Sequence, residues 1–319
     1  MNLQLNNIRE KIRNYALSIG FEAVGFARAE PLDTEAKRLE YWLMNEKHAD
    51  MAWMQNTFDI RTNPLLLLPE AKTIIVGLVN YFGGNNHSLL EVPRISRYAW
   101  GKDYHYVIRA KFQQVLSFIE SSVGKSVAGR IVVDSAPFMD KVWAVRAGLG
   151  WIGKNTILIR RKSGSWFFIG ALLIDLPLEP DNTVSKDYCG QCTRCIDACP
   201  TQAISPYQVD ANQCISYLTI EKKEDISSEL SEKLKGWAFG CDICQEVCPW
   251  NSFATLHTIA EFEPLSILSE FKNPLITSQL TKSQFYKRTQ ISPISRVRLP
   301  KWVSNIDLAV KSTQQPNID

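Results

Sequence analysis

Apolar residues recur along the first half of the chain with two different periods. Ile8, Ile12, Tyr15, Ala16 and Ile19 fall three and four residues apart, as one face of a helix requires. Phe21–Phe26 then reads as a strand. Asp33 is placed to cap a helix that runs to Lys47, with Leu39, Trp42 and Leu43 on one face. Thr73–Tyr81 (TIIVGLVNY) is β-branched and strand-like. Ile108, Phe112, Val115, Leu116 and Ile119 mark a second long helix. Arg130–Val133 predicts a strand that ends at Asp134, and Pro137–Ala147 predicts a helix. Thr156–Ile159 and Trp166–Leu173 complete the strands. The mixture predicts an α/β or α+β domain over residues 1–180, with no internal repeat.

A chain of 319 residues, 45% hydrophobic and 22% charged, fits a soluble globular protein. Those proportions exclude a disordered chain, a collagen-like repeat and a simple coiled coil. The length favours two or three domains. The longest apolar run, Phe167–Ile174, is too short to span a bilayer. The N-terminus, MNLQLNNIREKIRNYAL, mixes charges among its apolar residues and has neither a secretory nor a twin-arginine pattern. A cytoplasmic location without membrane contact is the expectation. Net charge is only +3, but it is unevenly spread. From Lys282 onward seven basic residues (Lys282, Lys287, Arg288, Arg296, Arg298, Lys301, Lys311) face two acids, Asp307 and Asp319. That stretch therefore carries +5 and residues 1–281 carry −2. The basic C-terminal segment, residues 261–319, is either a solvated tail or a patch for phosphates.

Eight cysteines fall between residues 189 and 248, and none lies outside. A disulfide framework would be unusual in a large cytosolic chain. Residues 189–200 read Cys-Gly-Gln-Cys-Thr-Arg-Cys-Ile-Asp-Ala-Cys-Pro, the C-x2-C-x2-C-x3-C-P run of bacterial ferredoxins. Three thiolates two residues apart let one tight loop wrap a 4Fe–4S cubane, while the fourth ligates the other cluster. Cys241-Asp-Ile-Cys244-Gln-Glu-Val-Cys248-Pro249 repeats the run with Ala238 in place of its first cysteine. Cys214, 27 residues before Cys241, is the one thiol left to replace it. The arithmetic then closes with Cys189, Cys192, Cys195 and Cys248 on one cluster, and Cys199, Cys214, Cys241 and Cys244 on the other. Residues 181–260 thus predict a ferredoxin-like double-cluster domain, a one-electron wire with a consumer nearby. An RNA-binding protein with structural zinc is the alternative that any CxxC pair leaves open.

Two motifs before the cysteines are decoys. Gly148-Leu-Gly150-Trp-Ile-Gly153 fits GxGxxG, but a helix precedes it and a strand follows, the reverse of a dinucleotide site. Its glycines instead let the chain turn close against a flat ligand or a neighbouring strand. Asp103-Tyr-His105-Tyr-Val-Ile108 begins the Asp-x-His-x-x-Gly pattern by which histidine ligates cobalt in some cobalamin enzymes, but Ile108 stands in the glycine position. The wider stretch from Ser96 to His105 is either a polar loop or a pocket wall. Asp134 either caps the next helix or faces a pocket at the strand's end. Beside an apolar ligand its pKa would rise, making it a competent proton donor.

Taken together, several stretches resemble the epoxyqueuosine reductases of the queuosine pathway. They are SRYAWGKDYH (Ser96–His105), VDSAPFMD (Val133–Asp140), GLGWIGKN (Gly148–Asn155), GSWFFIG (Gly164–Gly170), CISYLTIE (Cys214–Glu221) and SPISR (Ser292–Arg296). The resemblance covers most of residues 1–310. It implies an α+β fold: a nitroreductase-like cobalamin-binding domain followed by the ferredoxin-like domain with two 4Fe–4S clusters. It implies base-off cobalamin, with no protein histidine below the metal. It implies reduction of epoxyqueuosine to queuosine at the wobble position of tRNA, by a monomer fed from an external flavodoxin- or ferredoxin-type donor. Family members often carry a C-terminal helical-repeat domain. Here a short C-terminal segment is expected instead, which leaves the mode of tRNA docking open.

The resemblance also implies site residues. Asp134 protonates the epoxide oxygen as its C–O bond breaks, because an alkoxide leaves poorly. Asp103, Tyr104 and His105 orient the substrate or relay protons. Arg97, Tyr98, Lys154, Asn155, Leu158, Ile169, Ser216, Asp242 and Ile243 are the expected cobalamin neighbours. Arg296, Arg298 and Lys301 are the expected tRNA contacts, with a flipped anticodon nucleotide entering the pocket. A cobalamin-dependent reductive dehalogenase and a plain two-cluster electron carrier are the competing readings.

Overall fold

Four of the predicted strands pair into one antiparallel sheet. They are β1 (Ala23–Arg28), β2 (Thr73–Asn80), β3 (Gly129–Val133) and β4 (Phe167–Ile174), in the spatial order β1-β2-β4-β3. The computed structural model describes residues 2–85, 87–181 and 186–314. Asp319, counted above in the charge of the C-terminal stretch, lies outside the described residues.

Alternation along the strands decides the layers. Ile75 and Val79 of β2, with Phe168 and Leu172 of β4, face the helices Asn2–Ser18 and Tyr104–Val123. Ile74, Val76 and Leu78, with Ala171 and Leu173, face the helix Asp140–Arg146 through Trp143 and Ala144. Both faces are covered, so the strands are apolar throughout, and each large buried side chain contributes roughly 1.5–3 kcal/mol. This architecture is α+β.

Gly77 and Gly170 are direct cross-strand partners. A Cβ on Gly170 would lie 2.5 Å from Ile108 Cγ2 and 2.9 Å from Phe112 Cε2. One on Gly77 would lie 2.4 Å from Phe21 Cε1. The glycine pair is thus a notch that lets the Tyr104–Val123 helix settle onto the sheet. Its first turn then stands beside the last residues of β3.

Boundaries differ from the periodicity in ways that packing explains. Strand β1 starts at Ala23 because Gly20 (φ 96°) turns the chain and Phe21 fills the notch at Gly77. Asp33 is the first residue of the helix Asp33–Met44, not its cap; Leu32 precedes it, and no side chain caps the end. The helix read over 137–147 is the shorter Asp140–Arg146. Asp134 does not cap it, since Met139 holds the N-cap position.

The cysteine region is stitched to the first 180 residues at several points. Trp237–Phe239 pairs in parallel with Arg94–Ile95. Arg13 binds Asp181 at 2.8 Å, and Trp42 Nε1 donates to the Val209 carbonyl at 2.7 Å. The basic C-terminal segment is not a solvated tail. It forms the helices Ile267–Phe271, Pro274–Ser278, Lys282–Thr289 and Leu299–Lys311. Phe271, Phe285 and Trp302 meet there, and Trp302 packs on Phe239. Among the described residues, no helix is long and apolar enough to cross a membrane.

Candidate active site

A cleft of ≈ 1960 Å³ opens where β3 ends and the Tyr104–Val123 helix begins. It is about twice the upper end of the usual range for small-ligand pockets. Its charged lining comprises six cations (Lys37, Arg38, Arg61, Arg109, Lys141, Arg296) and four carboxylates (Glu35, Asp103, Asp134, Glu221). Aromatic rings from Tyr41, Trp53, Tyr98, Tyr104 and Tyr106 share the wall.

Asp134 sits at the end of β3 on a left-handed backbone, φ 38°. That conformation is uncommon for a non-glycine residue. It leaves the side chain 62% exposed while one oxygen is held. The Tyr104 hydroxyl donates to Asp134 Oδ2 at 2.5 Å, and His105 Nε2 stands 3.5 Å from the same oxygen. The other ring nitrogen, Nδ1, meets Asp103 Oδ1 at 2.7 Å. Asp103 is the helix N-cap and also accepts from the His105 backbone N–H at 3.0 Å. Tyr104 is fixed by stacking on Phe168, 4.3 Å between centroids and 8° between planes. The helix start therefore delivers Tyr104 and His105 onto one carboxylate, with Asp103 behind His105.

The electrostatics of this group set the starting state of the proton. Burial raises the Asp134 carboxyl, but hydrogen bonds from His105 and Tyr104, then the charges of His105 and Arg296, outweigh it and lower its pKa. Burial lowers His105, but the two aspartates outweigh it and push it up to about 9. In this state Asp134 is a carboxylate and the proton rests on His105. Apolar surroundings would reverse the balance at Asp134.

The eight thiols are free and half-buried. Cys195 is raised by burial, then by Cys248, Cys189 and Cys192. Cys214 is raised by burial and by Cys199, and Cys241 by burial, Cys244 and Cys214. The structure thus brings together Cys189, Cys192, Cys195 and Cys248 in one neighbourhood, and Cys199, Cys214, Cys241 and Cys244 in a second. Among the described residues, no three His, Cys, Asp or Glu side chains gather as around a single ion. A zinc ion would draw four sulfurs to within about 4 Å of one another. Four thiolates that raise one another's pKa suit a cubane, whose positive irons would relieve their mutual repulsion.

The expected cobalamin neighbours divide. Tyr98 and Ser216 line the cleft. Arg97 and Asp242 instead bind each other at 3.1 Å, 3% and 1% exposed. Lys154 donates to the carbonyls of Gly190 (2.7 Å) and Cys192 (3.1 Å), and Asn155 to that of Cys244 (3.3 Å). These two adjacent residues tie down a loop from each thiol neighbourhood. Leu158 pairs with Ile152 in a hairpin, Ile169 with Leu78 in the sheet, and Ile243 packs beside Cys214 and Cys241. Gly150 lies in that hairpin: its Cβ would sit 2.2 Å from the Ile159 carbonyl oxygen, so these glycines serve a close strand approach. Of the tRNA candidates, Arg296 lines the cleft but is held by Glu221 at 2.9 and 3.1 Å. Arg298 precedes the last helix, and Lys301 lies near Lys222. Arg38, Trp53 and Arg61 were not anticipated at the cleft. Arg61 stacks on Trp53 at 4.9 Å and feels Asp140 and Asp134. The available signal was slight: Trp53, Phe58 and Arg61 close together, outside any periodic element.

A double thiol nest beside a deep polar and aromatic cleft defines an iron–sulfur oxidoreductase with a large substrate site. Residues 188–251 match the 4Fe-4S double cluster binding domain, and residues 61–135 match the family described as epoxyqueuosine reductase QueG, DUF1730. The chain is 48% identical over 298 residues to the epoxyqueuosine reductase of Leadbetterella byssophila, covering 92% of this chain and 97% of that one. It is 38% identical over 320 residues to that of Escherichia coli K12, covering 97% and 82%. A crystal structure of epoxyqueuosine reductase with an epoxyqueuosine-modified tRNA-Tyr stem loop superposes with a TM-score of 0.84 at 30% identity, over 96% of this chain and 81% of that one. The Bacillus subtilis enzyme, with its aspartate-bearing catalytic loop swung out of the active site, superposes at 0.83 and 29% identity, over 96% and 82%. This chain belongs to the epoxyqueuosine reductase family.

Proposed function

We propose that this protein reduces epoxyqueuosine to queuosine at the wobble position of tRNA. The epoxide oxygen leaves as water and an alkene forms, which consumes two electrons and two protons. The observation that carries the assignment to this site is Asp134, held on one oxygen by Tyr104 and His105 and otherwise open to the cleft. When bound, two 4Fe–4S clusters and cobalamin would supply the electrons.

The residues fit those groups. Each thiol neighbourhood would hold one cubane. Cleft size and aromatic walls suit a corrin, with Tyr98 and Ser216 beside it. His105, the one histidine lining the cleft among the described residues, has Asp103 and Asp134 at its two ring nitrogens, so it would not be free to ligate a cobalt, in keeping with cobalamin held without a protein histidine. As substrate displaces water, the Asp134 carboxyl rises and takes a proton from His105 Nε2. Asp134 then gives that proton to the epoxide oxygen as the C–O bond breaks. Asp103 holds the ring in place, and Tyr104 keeps the carboxylate aimed into the cleft.

Six cations around the cleft suit the phosphates flanking a flipped nucleotide. Tyr41, Trp53 and Tyr106 offer exposed rings for neighbouring bases. Arg298 and Lys301 extend the basic surface beyond the rim. The same reading makes the protein a cytoplasmic monomer that draws electrons from a flavodoxin- or ferredoxin-type donor.

Nucleoside mass spectrometry of tRNA from a strain lacking the gene tests the reading. Epoxyqueuosine, one oxygen heavier than queuosine, should accumulate. The intact gene should restore queuosine, and the Asp134→Asn gene should not. Normal queuosine in the deletion strain, with no second reductase activity in its extract, would sink the assignment.

A further inference from the structure

The two thiol neighbourhoods face different surfaces. Cys214 lines the catalytic cleft. Cys248 instead lines a separate recess of ≈ 960 Å³, together with Arg194 and Pro249. Of the set Cys189, Cys192, Cys195 and Cys248, the last therefore opens on a recess outside the cleft, one that shares no lining residue with it.

Aromatic rings crowd that outer side. Tyr188, next to Cys189, meets Trp151 at 5.1 Å and Trp250 at 5.9 Å between centroids. Trp250, two residues past Cys248, meets Phe253 at 6.0 Å. Tyr188 is 39% and Phe253 51% exposed. Cations surround them. The Arg161 guanidinium lies 5.4 Å from the Tyr188 ring centroid. The turn that carries Arg161 and Lys162 rests on Asn251, which a Cβ on Gly164 would meet at 2.3 Å. Arg161, Lys162, Lys186 and Arg194 are exposed and form no ion pair among the described residues. Of the nearby carboxylates Glu246 is paired with Arg97, while Asp187 and Asp197 accept only from the neutral hydroxyls of Tyr207 and Thr193, so four unpaired cations outnumber two charged acids. The free charge on this face is positive.

We propose that this face docks a small acidic protein carrying a one-electron centre. The inference rests on the reading of the eight thiols as two cubanes, and it adds where electrons enter. Each encounter oxidises the carrier by one electron and reduces by one the cluster held by Cys189, Cys192, Cys195 and Cys248. Two encounters match the two electrons consumed by one epoxide. Exposed rings at the centre and unpaired cations at the rim give such a partner an apolar seat and electrostatic steering.

The experiment uses holoenzyme and two reductants: a reduced acidic flavodoxin, and dithionite, which needs no docking face. Carrier affinity and the rate of cluster bleaching are read for the wild type, the double variant R161E/K162E and Phe253→Ser. The charge reversal should weaken flavodoxin binding about tenfold or more at low salt, and the difference should shrink as salt rises. Phe253→Ser should weaken binding without changing the salt slope. Bleaching by dithionite and iron content should match the wild type in both. Unchanged carrier affinity in both variants, or equal slowing with dithionite, would overturn the docking site. Wild-type protein without iron would overturn the cluster reading instead, a failure that iron analysis detects separately.

Discussion

Asp134 and Asp242 are both carboxylates set among cations and hydroxyls, yet they have opposite surroundings. Asp242 accepts from the Ser96 hydroxyl, the Arg97 backbone N–H at 2.9 Å and the Arg97 guanidinium at 3.1 Å. Arg97 in turn binds Glu246 at 2.6 Å and lies over Trp166 at 5.0 Å. Both oxygens of Asp242 are spoken for, and water is excluded. At Asp134 one oxygen takes both partners and the side chain stays open to the cleft. The first arrangement locks the segment before the cleft to the cluster helix Ile243–Glu246. The second keeps a carboxyl whose proton affinity can change when a ligand arrives. Satisfaction from all sides makes an anchor, and satisfaction from one side makes a reagent.

Replacing each aspartate by asparagine should separate the two roles, and the largest effect belongs to Asp134. D134N keeps the shape and removes the transferable proton. Turnover should fall by about 10²–10⁴, the range for a lost general acid. Iron content should stay at the wild-type value, and the unfolding midpoint should fall less than in the variant at Asp242, because the Asp134 side chain is largely exposed. D242N should do the reverse. It leaves the Arg97 charge buried with only Glu246 to meet it, and breaking a buried pair costs about 3–5 kcal/mol. Thermal unfolding of the holoprotein should shift down by several degrees. Replacing both partners with apolar residues should recover part of that loss. A D242N protein as stable as wild type would erase the distinction.

The pH dependence sharpens the comparison on the Asp134 side. His105 is pushed up to about 9 from an ordinary 6.5. Its contribution to stability is therefore whole below about 6.5 and is lost as pH rises through about 9. Asp134 is lowered, so its contribution is present above the ordinary carboxylate range and is lost as pH falls below it. A proton supplied by His105 makes turnover fall on the alkaline side near 9. H105Q should lower the rate and remove that limb. An alkaline limb unchanged in H105Q would place the proton source elsewhere.

The same contrast explains what was legible beforehand. Local signals survived: the continuous apolar runs of β2 and β4, the thiol spacing, and the strand end at Asp134. Residue runs also placed Asp103, Tyr104 and His105 together, because a helix start delivers neighbours in sequence to one place. Long-range partners left no trace. Arg97 and Asp242 are 145 positions apart, and neither residue type announces a mate at that distance. Lys154 and Asn155 follow a glycine-rich turn that left a flat ligand and a neighbouring strand both open, and their side chains hold the loops at Cys192 and Cys244. Charge was legible as a sum and not as a surface. Of the seven cations from Lys282 onward, Arg288 is taken by Glu270, Arg296 by Glu221 and Lys311 by Asp307.

The smallest expected effect tests that last point. Arg298 and Lys301 stand outside those ion pairs, whereas Arg296 is bidentate with Glu221. Each free cation that neutralises a phosphate should contribute about 0.7–0.9 to the slope of log affinity against log salt. The pair R298E/K301E should therefore flatten the slope for the epoxyqueuosine-bearing anticodon stem loop by about 1.4–1.8 and weaken binding at low salt. Arg296→Gln alone should flatten it less, because Glu221 already meets that charge, and E221Q should steepen it by freeing Arg296. Binding measured at several salt concentrations decides between these. If R298E/K301E matches the wild type while R296Q does not, the phosphate contacts lie inside the cleft, with Arg38, Arg61 and Arg109, and the C-terminal helices serve only to pack against Phe239 and Trp100.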